Sequence, residues 1–158
     1  MITIEPYCGK YDEEIISLIL GIQNGENKLG LTLEEQPDLK AIKESYSDKG
    51  GEFWTALDDG RLIGTIGLMM KPDGYAVLKN FFVHKDHRLQ KVGLKLYLTL
   101  LDYAKEKGVR HIFLDTPAAA KQSHVFYEKA VFRRIDISEL PFDYSFPDRN
   151  SAIYILDI

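Results

Sequence analysis

The stretch LKNFFVHKDHRLQKVGLKLYLTLLDYAKEKG, residues 78–108, decides how the rest of the chain is read. It begins as an apolar strand and passes through a basic junction. It continues as a helix in which Leu89, Val92, Leu96, Leu100, Tyr103 and Ala104 line one face, with Lys91, Lys95, Asp102, Lys105 and Glu106 on the other. The periodicity predicts a helix over residues 89–107, closed by Gly108. The junction carries Lys85, Arg88, Lys91 and Lys95 against Asp86, a local excess of positive charge in a chain whose formal charge is -4. A helix N-terminus already favours an anion through its unbonded N–H groups and its dipole. Basic side chains at that place read as a phosphate site, and a solvated basic helix start is the plainer alternative.

Upstream, residues 53–57 and 62–70 read as strands joined by Asp58-Asp59-Gly60-Arg61, and Lys71-Pro72-Asp73-Gly74 turns the chain into a strand over residues 75–83. Residues 1–5 read as a strand and 11–22 as a helix with Ile15, Ile16, Ile19 and Ile22 at helical spacing. Pro37 opens a short helix with Leu39, Ile42 and Tyr46. Downstream, residues 109–115 read as a buried strand, 118–130 as a helix, and 132–137 and 152–158 as closing strands. This order gives an α/β arrangement, a mixed sheet with helices on both faces.

With 158 residues, 45% hydrophobic and 28% charged, one domain with its own core is expected over residues 1–158. Twenty Lys plus Arg against 24 Asp plus Glu argue against binding nucleic acid through its phosphates. No apolar run reaches the roughly 18 residues of a membrane span, and the first residues lack a signal-peptide pattern. The lone Cys8 permits no internal disulfide and fits a reducing, cytoplasmic setting. His84 and His87 lack further clustered ligands, so no metal site is expected. His124, one turn before Tyr127, reads as structural.

The segment 78–108 resembles the fourth strand and following helix of the GCN5-related N-acetyltransferase (GNAT) family, and the element order agrees along nearly the whole chain. The family's acetyl-CoA signature runs Arg or Gln, two variable residues, Gly, one variable residue, then Gly or Ala. It falls on Arg88 to Gly93, with Lys91 where the first glycine is usual. A second landmark falls on FYEKAVF, residues 126–132, with Val131 in place of a glycine, and the family's frequent asparagine falls on Ala120. The tail LPFDYSFPDRNSAIYILDI, residues 140–158, is similar to that of small bacterial members.

The resemblance implies an acyl-CoA N-acyltransferase fold of mixed, mostly antiparallel sheet, and transfer of acetyl from acetyl-CoA to a small-molecule or peptide amine by direct attack in a ternary complex. It implies coenzyme contacts from Phe81, Phe82 and Val83 on the fourth strand; from Arg88, Leu89, Gln90, Lys91, Val92, Gly93 and Leu94 at the helix start; and from Ser123 and Phe126. Tyr127 would be the general acid that protonates the thiolate, and an amide near Phe82 or Val83, at a bulge, would hold the oxyanion. An amine of pKa ~10.4 is only about 0.04% neutral at pH 7, so some group must take its proton. Lys79 and Asn80 stand where relatives often carry glutamate. Glu34, Glu35, Glu52, Asp115 and a water chain all stay open for that role. The loop over residues 21–37 and the loop with Phe142, Tyr144 and Phe146 are the expected acceptor walls. The competing reading is a non-catalytic acyl-CoA-binding or regulatory module on the same fold. The oligomeric state is left open, a homodimer included.

Overall fold

Asp59 and Gly60 both take positive φ (49° and 84°), as do Asp73 and Gly74 (63° and 81°). Two consecutive left-handed residues match the twist of antiparallel strands, so both Asp-Gly pairs reverse the chain as expected. The computed structural model describes residues 1–144 and 151–158; Phe146, expected in an acceptor wall, lies outside the described residues. Its elements are β1 (Ile2–Pro6), α1 (Asp12–Leu20) continued by a π turn (Gly21–Glu26), a 3₁₀ turn (Pro37–Lys40), α2 (Ile42–Ser45), β2 (Glu52–Asp58), β3 (Arg61–Met70) and β4 (Tyr75–Val83). A 3₁₀ turn (Lys85–Gln90) then leads into α3 (Val92–Glu106), followed by β5 (His111–Pro117), α4 (Lys121–Lys129), β6 (Arg133–Ile135) and β7 (Ser151–Asp157).

The sheet order is β1-β2-β3-β4-β5-β7-β6, antiparallel except for β4 beside β5. Val92, Leu96, Leu100 and Ala104 of α3 pack on one face with Ile66, Leu78, Ile112, Leu114 and Tyr127. Ile15, Ile19, Leu39, Ile42, Tyr46 and Phe53 form a second core on the opposite face. Helices therefore cover both faces, as the sequence implies. Among the described residues no helix is long and apolar enough to cross a membrane.

The long helix starts at Val92, three residues later than its periodicity suggests, because Lys91 takes φ 60° and breaks the helical run. Likewise the helix expected from residue 118 starts at Lys121. Both helices end in one motif. At α3, Gly108 N–H reaches Lys105 O (3.2 Å) and Val109 N–H reaches Ala104 O (2.9 Å). At α4, Val131 N–H reaches Glu128 O (3.1 Å) and Phe132 N–H reaches Tyr127 O (3.0 Å). This double closure needs a left-handed residue after the cap. Gly108 supplies it freely (φ 78°), whereas Val131 is β-branched and held at φ 70°.

The left-handed conformation costs an ordinary residue about 1–2 kcal/mol, and Val131 is 78% exposed, so its side chain returns little by burial. Glycine's extra freedom in the unfolded chain takes back about 0.4–1 kcal/mol. Val131→Gly is therefore expected to stabilise the protein by about 0.5–1 kcal/mol. Thermal melting checks this, and a lower midpoint for the variant would mean that the valine is not strained.

Candidate active site

β4 and β5 pair only over Tyr75↔His111, Ala76↔Ile112 and Val77↔Phe113. Beyond that, β4 follows β3 and β5 follows β7, and the two strands part. A cavity of about 1390 Å³ opens there. Drug-sized ligands occupy sites of roughly 300–1,000 Å³, so this one is larger than a single such ligand needs.

One wall is aromatic. Phe81 stacks edge-on against Phe126 at 5.3 Å between centroids and lies 6.3 Å from Tyr127, while Phe126 packs on Tyr97 at 5.6 Å. Gly93 faces this wall, where a Cβ would come within 3.5 Å of Phe81 and 3.7 Å of Val83 and would narrow the cleft. Tyr127 is buried, and burial, followed by the charge of Asp115, pushes its phenol well above the ordinary value, so it stays protonated.

Of the residues expected from the sequence, the cavity brings together Phe81, Phe82, Val83, Arg88, Gly93, Ser123, Phe126 and Tyr127. The side chains of Leu89, Gln90, Lys91, Val92 and Leu94 do not line it. Leu89 is fully exposed, Val92 is sealed in the core, and Gln90, Lys91 and Leu94 face solvent. What this segment presents is main chain. The first α-helical bond of α3 runs from Lys95 N–H to Lys91 O (3.1 Å), so the amides of Val92, Gly93 and Leu94 have no acceptor within the helix.

Arg88 is already engaged. Its Nε donates to Val83 O (3.0 Å), and its two terminal nitrogens meet the Glu26 carboxylate at 2.8 and 3.0 Å. Both side chains are about one-third exposed, where even a two-pronged pair contributes on the order of 1 kcal/mol or less. Nothing local in the sequence announces Glu26, 62 residues away on the π turn.

Of the four carboxylates considered for the amine proton, Glu35 and Asp115 line the cavity. Glu35 accepts from the Thr32 amide and hydroxyl, both at 3.0 Å. Glu52 is taken up on β2 by Ser47 and the Phe53 amide, and Glu34 is exposed. Asp115 lies just past the parting of β4 and β5, where strand alternation puts it on the face of Phe113. It accepts a hydrogen bond from the Tyr144 hydroxyl, and the Lys79 ammonium lies 5.8 Å from the Tyr144 ring centre. Burial pushes its carboxyl up, against the opposing effects of Tyr144, Lys79 and Ser151.

His124 is committed elsewhere. Its Nε2 sits 2.9 Å from Pro117 O and its Nδ1 3.1 Å from the Tyr154 hydroxyl. A carbonyl only accepts, so Nε2 carries the hydrogen and a neutral ring accepts from Tyr154 at Nδ1. His84 and His87 lie 3.7 Å from Asp86 and 3.4 Å from Asp58, and among the described residues no three metal-ligating groups converge. Cys8 is exposed.

Residues 11–132, which carry the parted strands, the aromatic-walled cleft and the helix N-terminus at its rim, match the family model for the acetyltransferase (GNAT) family, and the chain belongs to that family. A GNAT-family acetyltransferase of Staphylococcus aureus Mu50 is 33% identical, with a TM-score of 0.96 over 99% of both chains. An acetyltransferase of Streptococcus agalactiae 2603 is 36% identical, with a TM-score of 0.94 over 99% of this chain and 98% of the other. The probable N-acetyltransferase camello of Xenopus tropicalis is 29% identical over 66% of this chain and 49% of its own length. The chain spans about half the length of the vertebrate relatives it matches.

A raised carboxyl binds a proton more readily in the folded state, so Asp115 favours folding below the ordinary carboxylate value of 3.8, and that contribution is lost as pH rises through its raised value. Asp115→Asn keeps an acceptor for Tyr144 and removes the charge. The variant is expected to melt higher than the wild type at pH 7, with the gap closing as pH falls toward 3.5. A gap independent of pH would show that Asp115 ionises as easily as an exposed carboxylate.

Proposed function

We propose that this chain transfers an acetyl group from acetyl-CoA to a primary amine, on a small molecule or a peptide, by direct attack with both reactants bound. The observation that carries the reading is one cavity holding a phenol kept protonated and a carboxyl made more basic, in a protein of the GNAT family. Two titratable groups whose surroundings suit opposite duties supply an acid and a base.

The coenzyme diphosphate lies at the amides of Val92, Gly93 and Leu94, and its pantetheine arm runs along Phe81, Val83 and Gly93 toward Ser123 and Phe126. Leu89, Gln90 and Lys91 contribute main chain, since their side chains face solvent. Arg88 holds the loop through Val83 and Glu26, and a diphosphate displaces Glu26 at little expense. Phe82 and the bulge before it face the acyl carbonyl. The acceptor enters on the side of Glu35, Asp38 and Asp115, where carboxylates and the Tyr144 ring suit an ammonium.

Freeing the amine at pH 7 costs about 4.6 kcal/mol in water. Ionised Asp115 takes one proton from the ammonium. The nitrogen lone pair then attacks the thioester carbon and the C–S bond breaks. Tyr127 gives its hydroxyl proton to the departing sulfur and is reprotonated by the second proton the new amide nitrogen sheds. The balance is an amide, a thiol and one proton left on Asp115 for release to solvent. The lone exposed Cys8 suits a cytoplasmic setting.

Thiol release measured across a panel of amines, with calorimetry of coenzyme binding, tests this. Tyr127→Phe is expected to lower kcat more than tenfold with the CoA dissociation constant unchanged. Asp115→Asn is expected to lower kcat/KM for the amine by 100-fold or more and to remove the limb of the pH profile that rises as Asp115 ionises. Coenzyme binding without thiol release from any amine would favour the non-catalytic module.

A further inference from the structure

β4 changes face partway along its length. Gly67 of β3 stands opposite Lys79 and Thr65 opposite Phe82, so Ile66 alone opposes both Asn80 and Phe81. One extra residue on one strand is a β-bulge. Before it, Ala76 and Leu78 pack on the α3 and α4 face; after it, Phe81 and Val83 do. Strict alternation would put Asn80 and Phe82 there instead and would withdraw Phe81 from Phe126. The aromatic wall of the cavity therefore exists because of the bulge.

Asn80 carries the bulge in a left-handed conformation, φ 55°. Asparagine tolerates this better than other side chains, but tolerance does not enforce it. Four hydrogen bonds do. The Asn80 carbonyl accepts from Thr65 Oγ1 (2.8 Å), and its Nδ2 donates to the Tyr46 hydroxyl (2.9 Å) and to Asp38 Oδ2 (3.0 Å). Tyr46 in turn donates to the same Asp38 oxygen (2.7 Å). Tyr46 is wholly buried, and its ring is seated over Gly67, where a Cβ would come within 2.9 Å of it. Asp38 on one side and Asn80, Phe81 and Phe82 on the other all line the cavity, so the tether ties one wall to the other.

We infer that Asn80 is a positioning residue: its tether to Tyr46 and Asp38 holds the bulge that sets the β4 backbone against the reacting acyl group. The inference rests on reading the cavity as the acyl-transfer site. Asn80 itself acts through the backbone it holds.

Asn80→Gly keeps the left-handed backbone accessible and deletes the tether, and Tyr46→Phe removes one tether partner. Two readouts are taken on the full chain: kcat and KM with acetyl-CoA, and amide hydrogen exchange at residues 80–83. Asn80→Gly is expected to lower kcat at least tenfold while KM for acetyl-CoA and the CoA dissociation constant stay within twofold. Exchange at residues 80–83 is expected to quicken at least tenfold while β1 and β7 are unchanged. In a Tyr46→Phe background the further loss on Asn80→Gly should shrink, because the two share one network. Wild-type kcat, equal losses in turnover and coenzyme affinity, or unaltered exchange at residues 80–83 would overturn the inference. If the wild type acetylates no amine, the acyl-transfer reading falls by itself, and exchange alone decides whether the tether holds the bulge. If Asn80→Gly does not fold, Tyr46→Phe is read on both scales.

Discussion

A strand can pair fully with two neighbours only while all three run together, and β4 does so for three residues beside β5. Past Val77 it stays with β3, and β5 stays with β7. Backbone groups turned toward the gap lose their ladder partners there, and a ligand or water must serve them. The cavity and the placing of its carboxylates follow from this parting, which opens the sheet from within and lets one space reach both faces.

Burial gives the two titratable groups at this opening their character. The phenol of Tyr127 and the carboxyl of Asp115 both disfavour their charged forms, for the same cause. The result differs because a phenol pushed up is a firmer proton store, and a carboxyl pushed up is a better proton acceptor. The Tyr144 hydroxyl and the Lys79 ammonium act the other way on Asp115 and favour its charged form.

The meander was legible because Asp-Gly pairs sit between runs of alternating strand character, and α3 because its apolar residues repeat on one face. Phe81, Gly93, Phe126 and Tyr127 were legible through the order of short motifs. Other features were not. The start of α3 was misplaced because Leu89 extends the apolar stripe, yet it is fully exposed on the 3₁₀ turn before a left-handed Lys91. The Arg88–Glu26 and Asp115–Tyr144 pairs join residues 62 and 29 apart, and nothing local encodes such separations. Asn80 offers a partial signal: the consecutive polar residues Lys79 and Asn80 interrupt an apolar strand and suggest a break in the pleat, though not the tyrosine and aspartate that hold it.

The Phe132 amide that ends α4 bonds to the carbonyl of Tyr127 itself. The residue that carries the phenol is thereby pinned from behind by a turn whose exposed member, Val131, points away from the cavity into solvent. Drift at that outer position alters how firmly the last turn of the helix is wound without altering the shape or charge of the cleft.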